Sequence, residues 1–316
     1  MTEVVCAGIV VVDHIVAPMA RLPAAGELAL VDDCFLALGG CAANVAANLR
    51  RQDVEVAVAG AVGDDAFGRL ATEWLSATGA DVSTIAVAPG YATSQSVILN
   101  VHGEDRRFIH LRGANTAFGP NHLPTAALRH AKVFYFGGFF LAGMSGAALA
   151  IAFAAARANG CRTVLDVVTP ANGGAGLDEL RPALAHTDLF LPNADEGAAL
   201  LGLHDPVAQA RAFRALGANT VAITLGGSGV VVAEAEAVWR ADAFQTTCVD
   251  GTGGGDAFAA GCIVGMLQGL DTIGYVRLGA ALGASCVRQS GATAGVFTRA
   301  EAEAFVRQHP FAKKSA

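Results

Sequence analysis

Short apolar segments typical of buried strands alternate with helical patterns along most of the chain. Alternating β and α units predict a mostly parallel sheet with helices on both faces. We therefore expect residues 1–316 to form a single doubly wound α/β domain. The predicted strands are residues 4–12, 54–59, 133–136, 163–166, 189–191, 221–224 and 229–233.

Two segments interrupt this alternation. Residues 14–38 lack helical periodicity and contain two prolines and a glycine. Residues 91–112 contain two alternating stretches, 96–102 and 106–110, around the turn Gly103-Glu104-Asp105, which predicts a hairpin. Both segments are expected to stand outside the main sheet.

The most informative motif is a glycine-rich turn at residues 250–262, in which Gly253, Gly254 and Gly255 precede Asp256 and an Ala/Phe-rich run. Glycines that lead into a helix aim free N–H groups and the positive end of the helix dipole at one point, which suits an anion. A carboxylate repels phosphate, so Asp256 suits such a site if it takes a proton from an attacking hydroxyl. The motif alone is equally typical of a tight turn with Asp256 capping the helix. No Gly-Lys-Ser/Thr follows, so the turn is not a Walker loop.

Five motifs together resemble the ribokinase (PfkB) family of sugar and nucleoside kinases. They are, in family order, residues 39–49, 63–68, 193–196, 224–229 and 250–258. In the last motif, Gly251 replaces the usual Thr or Ser and Gly254 the usual Ala. The resemblance implies a ribokinase-like α/β fold in which 14–38 and 91–112 form a small β lid, which in some relatives is also a dimer interface.

The resemblance also implies roles for individual residues around the acceptor. Asp256 would be the general base, and the amides of Gly253, Gly254 and Gly255 would form an anion hole. The substrate hydroxyls would be bound by Asp13, Gly39, Gly40 and Asn44. The residues alone allow other interpretations. Asp13 is also typical of a turn at a strand end, and the two glycines are typical of close helix–strand packing. Asn44 is typical of an exposed position in the middle of a helix.

Further roles implied by the resemblance concern nucleotide and ions. Mg-ATP would be the phosphoryl donor, with Glu196 near the Mg²⁺ and acting through water. The nucleotide would be bound by Asn193, Thr224, Gly226 and Gly229, and a K⁺ ion by Asp250, Thr252 and Gly291. From the residues alone, Asn193 and Glu196 fit a helix capping box equally well, and residues 224–229 fit a plain hairpin turn between two strands.

The acceptor is less well specified. Ribokinase typically has Lys where this chain has Cys41, which weakens a ribose assignment. We expect phosphoryl transfer to a hydroxymethyl group of a small sugar, with a nucleoside kinase or sugar-phosphate kinase as alternatives. Arg106, Arg107 and Arg112 on the lid could meet a substrate phosphate or form exposed salt bridges.

Two other classes of protein are alternatives to a kinase. A non-catalytic sugar- or nucleotide-sensing protein remains open, because fold does not fix function. A Rossmann dehydrogenase is disfavoured, because no Gly-x-Gly-x-x-Gly follows the first predicted strand.

Composition agrees with a compact enzyme. A net charge of -7 and the absence of a Lys/Arg run argue against a nucleic-acid surface. Seven scattered cysteines predict buried thiols in a reducing cytosol, and the N-terminus does not resemble a signal peptide, so a cytoplasmic location is expected. The uncharged stretch 133–156 is long enough to span a membrane but is broken by glycines, which favours a strand followed by a helix at 147–156. Residues 312–316 are predicted to be a frayed tail.

Overall fold

The computed structural model describes residues 2–104, 106–168, 176–235 and 237–316. The strands in chain order are β1 Val4–Gly8, β2 Val11–Met19, β3 Cys34–Gly39, β4 Val56–Gly63, β5 Ile85–Ala88, β6 Gln95–Val101, β7 Arg107–Leu111, β8 Val133–Gly137, β9 Arg162–Leu165, β10 Leu189–Phe190, β11 Thr220–Thr224, β12 Val230–Glu234, β13 Ala237–Ala241 and β14 Lys314–Ser315. The helices are α1 Cys41–Arg50, α2 Ala66–Ala77, α3 Thr125–Leu128, α4 Gly146–Ala158, α5 Leu177–Leu184, α6 Ala194–Leu201, α7 Pro206–Ala215, α8 Gly254–Leu267, α9 Thr272–Cys286 and α10 Arg299–Gln308.

Across the described ranges, a 10-stranded sheet has the order β14-β13-β12-β11-β10-β9-β8-β1-β4-β5. The strands from β11 to β5 in this order are parallel, and β12, β13 and β14 extend the sheet in antiparallel pairs. Every residue of β1, β4 and β8 is buried, as expected for parallel strands covered on both faces. The predicted doubly wound α/β fold is therefore confirmed.

A separate four-stranded sheet has the order β3-β2-β6-β7 and comprises the segments predicted to form a lid, so it is called the lid sheet below. Strand β2 pairs antiparallel with β3 and parallel with β6, and β6 and β7 form the predicted hairpin. Of the predicted turn, Asp105 lies outside the described residues. The two segments that interrupt the β/α alternation thus form a sheet of their own.

The prediction of one strand at 4–12 was wrong, because the chain changes sheet within it. Strand β1 ends at Gly8, whose φ is +133° and where a Cβ would lie 2.0 Å from the carbonyl oxygen of Gly137. The chain then enters the lid sheet as β2. Asp13 therefore lies inside a lid strand and not at the carboxyl end of a strand of the main sheet.

Smaller corrections concern short edge strands. The strands β5, β13 and β14 were not predicted. The C-terminal residues are not frayed throughout, since Lys314 and Ser315 pair with Arg240 and Trp239.

The uncharged stretch 133–156 forms β8 and α4, as predicted. None of the helices in the described part of the chain is long and apolar enough to cross a membrane. The prediction of buried thiols was wrong for Cys34 and Cys248, which are exposed, and right for the other five cysteines.

Candidate active site

The glycine turn before α8 has a backbone conformation that favours glycine. Gly253 has a φ of +74°, and a Cβ there would lie 2.4 Å from Cα and Cβ of Ala292. The next two residues, Gly254 and Gly255, begin the 14-residue helix α8 and line a cavity. Because neither carries a side chain, a ligand in this cavity can approach the N-terminal amides of the helix closely.

Helix packing brings Asp256 of α8 to Asn44 of α1. The Nδ2 atom of Asn44 donates a hydrogen bond of 2.8 Å to Oδ2 of Asp256. Asn44 is 4% exposed, so it is not a solvent-facing helix residue. Its Oδ1 atom is buried and has no hydrogen-bond partner among the described residues. A buried acceptor of this kind suits a ligand hydroxyl.

Burial raises the pKa of Asp256 to about 6, although the hydrogen bonds from Asn44 and Cys41 oppose this shift. The carboxyl group is therefore mostly ionised at neutral pH, yet its pKa lies close enough to neutrality for proton transfer. Both properties suit a general base.

Asp13 is buried beside the glycine pair that precedes α1. A Cβ at Gly39 would lie 2.1 Å from Oδ2 of Asp13, and a Cβ at Gly40, which has a φ of +90°, would lie 2.5 Å from the carbonyl oxygen of Ile9. Both glycines are closely packed, but against β2 and the residues just before it and not between a helix and a strand as predicted; at Gly39 this packing accommodates the Asp13 carboxylate. Burial raises the pKa of Asp13 to about 6, against a hydrogen bond from Ser96.

A cluster of acids surrounds Asp256. The Sγ atom of Cys41 and carboxylate oxygens of Asp166 and Asp256 all lie within 4.8 Å of one another. Tyr135 donates a hydrogen bond of 2.9 Å to Oδ2 of Asp166. Burial, together with the charges of Glu196 and Asp256, raises the pKa of Asp166 well above its usual value. Burial, with the charge of Asp256 added, also raises the pKa of Glu196 to about 7.

Asn193 and Glu196 form the capping box of α6. The backbone N–H of Glu196 donates to Oδ1 of Asn193, and the backbone N–H of Asn193 donates to Oε2 of Glu196, both at 2.8 Å. The capping interpretation is therefore confirmed. Asn193 also forms a bridge to Thr224 at the end of the neighbouring strand.

A cavity of about 340 Å³ lies at the N-terminus of α8. Its lining includes Thr224, Gly226 and Gly229 of the predicted nucleotide site, and it does not include Asn193. Gly229 has a φ of +99°, and a Cβ there would lie 2.0 Å from the carbonyl oxygen of Ala241, so it is required by the turn between β11 and β12. The hairpin interpretation of this segment is confirmed.

The three residues predicted to bind potassium lie together. Asp250 accepts hydrogen bonds from the backbone N–H of Thr252 at 2.9 Å, from Oγ1 of Thr252 at 2.7 Å and from the backbone N–H of Gly291 at 2.9 Å. Burial alone would raise the pKa of Asp250, but these hydrogen bonds and the charge of Arg106 lower it overall.

The lid arginines do not share one environment. The Nη1 atom of Arg106 lies 3.6 Å from Oδ1 of Asp250 and donates a hydrogen bond of 2.9 Å to Oγ1 of Thr252. Arg107 forms an exposed salt bridge with Glu104, as one of the two interpretations predicted. Arg112 donates to the carbonyl oxygen of Leu141 at 3.3 Å.

Two residues near the site were missed from the sequence. Tyr135 was assigned only to a buried strand, although a buried tyrosine hydroxyl usually requires a partner, which here is Asp166. For Arg106 the sequence suggested only contact with an acceptor phosphate or an exposed salt bridge. Its pairing with Asp250 was missed, because nothing in the sequence links these two residues, which lie 144 positions apart.

Comparison with known proteins identifies the family. The model of the pfkB family carbohydrate kinases matches residues 1–299. A 2-dehydro-3-deoxygluconokinase of Thermoproteus tenax is 30% identical over 256 residues, which cover 78% of each chain. A ribokinase of Haemophilus influenzae is 27% identical over 305 residues, 93% of this chain and 95% of the relative.

Solved structures agree on the fold. Arabidopsis thaliana ribokinase complexed with ribose and ATP superposes with a TM-score of 0.80 at 22% identity, covering 96% of this chain and 98% of that one. The chain therefore belongs to the pfkB family of carbohydrate kinases, and it is a phosphotransferase that uses an alcohol group as acceptor.

Proposed function

We propose that this kinase transfers the γ-phosphoryl group of ATP to a hydroxymethyl group of a small sugar, with Asp256 as the general base. The observation that carries this proposal is the position of Asp256. Asp256 lies in the first turn of α8, beside the glycines that line the cavity, and its carboxylate accepts a hydrogen bond from Asn44 of α1. A base next to an anion site is the arrangement that phosphoryl transfer to a hydroxyl requires.

The acceptor hydroxyl would lie between Asp256, Asn44 and Asp13. The unpaired Oδ1 atom of Asn44 would accept a hydrogen bond from a substrate hydroxyl, and the buried Asp13 carboxylate would accept another. Asp256 would remove the proton of the attacking hydroxyl as the new O–P bond forms. The amides of Gly253, Gly254 and Gly255 would stabilise the charge that develops on the transferred group.

The acid cluster fits a magnesium ion. Asp166 and Glu196 have raised pKa values in part because like charges crowd together, and oxygen donors of this kind suit Mg²⁺. Bound with ATP, Mg²⁺ would neutralise phosphate charge, and Glu196 would hold it through water. The nucleotide would occupy the cavity lined by Thr224, Gly226 and Gly229.

A neutral acceptor is favoured over a phosphorylated one. Arg106 pairs with Asp250 and Arg107 with Glu104, so neither of these lid cations is directed at Asp13 or Asn44 by the contacts described. A nucleoside kinase or a sugar-phosphate kinase of the same family remains the alternative. A sugar- or nucleotide-sensing protein is disfavoured by the intact Asp256.

A potassium ion bound by Asp250, Thr252 and Gly291 stays a prediction. Their convergence around one carboxylate supports it, although the ion would have to share Asp250 and Thr252 with the guanidinium of Arg106. The ion would order the loop before α8 without contacting substrate. Activity in potassium compared with a large inert cation at equal ionic strength tests this site, and equal activities would remove it.

A homodimer through the lid also stays a prediction. Two apolar side chains on one face of the lid strand β7 are exposed, with Ile109 64% and Leu111 48% exposed. A second copy of the chain would cover this surface. Sedimentation of the wild type and of Ile109→Lys tests the dimer, which the substitution should dissociate.

The proposed function is tested with a panel of neutral sugars, nucleosides and sugar phosphates, scored by ADP release. We expect one neutral sugar to stimulate ADP release strongly and Asp256→Asn to abolish most of this activity while ATP binding persists. Because a general base contributes about 10²- to 10⁴-fold, a variant that kept more than about a tenth of the wild-type kcat would contradict the assignment of the base.

A further inference from the structure

A partly buried ion pair joins the lid hairpin to the loop before α8. Arg106 immediately precedes β7, and Asp250 lies 144 residues further along the chain. The side chain of Asp250 is 8% exposed and that of Arg106 is 24% exposed. A second contact, the 2.9 Å hydrogen bond from Nη1 of Arg106 to Oγ1 of Thr252, fixes the guanidinium over this loop. Arg106 also lies 5.7 Å from the ring centroid of Phe108 on the same hairpin.

Gly251 makes this position of the guanidinium possible. A Cβ at Gly251 would lie 3.2 Å from Nη2 and 3.4 Å from Cζ of Arg106. Such distances are tighter than ordinary van der Waals contact, so an added Cβ would require the guanidinium to move by a few tenths of an ångström, and a Thr or Ser side chain adds further atoms beyond that Cβ. Gly251 stands where the resembled motif usually has Thr or Ser. The glycine at this position of the motif therefore leaves room for the guanidinium of Arg106.

The contacted segment continues directly into the glycine turn. The backbone N–H of Gly254, the first residue of α8, donates to the carbonyl oxygen of Gly251 at 3.3 Å. A shift of Gly251 would therefore move the start of the helix. Arg106 is also the one Lys or Arg among the described residues that line the cavity.

We propose that Arg106 is a positioning residue that couples closure of the lid to the geometry of the glycine turn at the N-terminus of α8. With the hairpin in place, the guanidinium holds Asp250 and Thr252, and through Gly251 it fixes the amides that face the transferred phosphoryl group. When the hairpin moves away, this restraint is lost. The proposal rests on the proposed kinase function, because its catalytic consequence is a change in phosphoryl transfer.

A double-mutant cycle between Arg106→Ala and Gly251→Thr tests this coupling. Loss of the guanidinium should lower kcat by about 10- to 100-fold, because small misplacements of reacting groups cost up to about 10²-fold. Gly251→Thr should lower kcat in the wild-type background, where it displaces the guanidinium. In the Arg106→Ala background it should change kcat by less than about twofold, since neighbouring residues that act on each other are not additive.

Matched variants separate positioning from general destabilisation. Arg107→Ala on the same hairpin removes an exposed salt bridge and should leave kcat within about twofold of the wild type. Arg106→Lys keeps the charge but not the planar fork, so its kcat should lie between those of wild type and Arg106→Ala. Added guanidinium ion should partly restore Arg106→Ala and not Arg107→Ala. The KM for the acceptor should stay within about threefold in each variant.

A readout independent of activity distinguishes failure of this inference from failure of the proposed function. Hydrogen–deuterium exchange of residues 250–258 and 95–111 should be faster in Arg106→Ala than in the wild type, and unchanged in 250–258 of Arg107→Ala. If the wild type phosphorylated no acceptor but exchange changed in this way, the structural coupling would stand and the kinase function would fall. Additive effects in the cycle, unchanged exchange in 250–258 of Arg106→Ala, or a rise in acceptor KM with constant kcat would overturn the inference.

Discussion

The hydrogen bond from Asn44 should set the pH dependence of the enzyme. Asp256 acts as a base only when it is ionised, so kcat/KM should rise with pH through the pKa of Asp256, which burial raises to about 6, and level off above it. Asn44 donates to the carboxylate and thereby stabilises the ionised form. Removing this donor in Asn44→Leu should raise the pKa and move the acidic limb of the profile to higher pH.

The size of the shift follows from the strength of the hydrogen bond. Hydrogen bonds to charged groups contribute roughly 1.5–3 kcal/mol, and one pKa unit corresponds to about 1.36 kcal/mol. The carboxylate is buried, and the hydrogen bond from Cys41 remains in this variant, so we expect a shift of about one to two pH units. The signature would be a fall in kcat/KM that is larger near pH 6 than near pH 8, where only the lost contact between Asn44 and the substrate still lowers kcat/KM.

The assay is the pH profile of kcat/KM for wild type, Asn44→Leu and the control Asn48→Leu. Asn48 is buried one turn further along α1 and donates to the carbonyl oxygen of Ala292, and it has no hydrogen bond to Asp256 among the described residues. Its removal should change the height of the profile but not the position of the acidic limb. Equal limbs in all three proteins, or equal shifts in both variants, would refute the reasoning.

Three further predictions concern the other parts of the site. Gly253→Ala should lower kcat at least about tenfold and lower the Tm, because the φ of Gly253 is +74° and an added Cβ would clash with Ala292. The control Gly255→Ala should keep the wild-type Tm in scanning calorimetry, because its Cβ would meet nothing within 4 Å. Glu196→Gln keeps a capping box, so its Tm should equal that of the wild type. In a Mg²⁺ titration its apparent Mg²⁺ affinity should be weaker by about tenfold or more, and an unchanged affinity would exclude Glu196 from the metal site. Asp13→Asn should raise the KM of the acceptor by about 10- to 100-fold with little change in the KM of ATP, and the opposite pattern in steady-state kinetics would remove Asp13 from the acceptor site.

Much of the main sheet could be predicted from the sequence because its central strands are apolar throughout. Such runs are typical of parallel strands buried on both faces, and β8 and β11 were placed to within a residue at each end. For the same reason the boundary between β1 and β2 could not be predicted, since the residues on both sides of it within 4–12 are apolar. The break depends on contact between Gly8 and Gly137, which no local pattern encodes.

The site could be assigned only through resemblance to a family. Asn44 and Asp256 meet although they are 212 residues apart, and no spacing rule predicts that pairing. The properties of single residues were ambiguous for the same reason. Glu196 caps a helix and is also close enough to Asp256 for that charge to raise its pKa, and both follow from one position at a strand–helix turn. The pairing of Arg106 with Asp250 was missed because it depends on how the lid lies over the main sheet.

We propose above that the chain esterifies a sugar hydroxymethyl group with phosphate from ATP, and that Asp256 makes this possible. Proton-coupled ³¹P NMR of the product formed from the best neutral sugar tests it most directly. A phosphate ester on a hydroxymethyl carbon couples to two protons and gives a triplet, and this signal should appear with wild-type enzyme and be nearly absent with Asp256→Asn under the same conditions. A doublet from a ring hydroxyl ester, release of inorganic phosphate without an ester, or equal product from Asp256→Asn would contradict the claim.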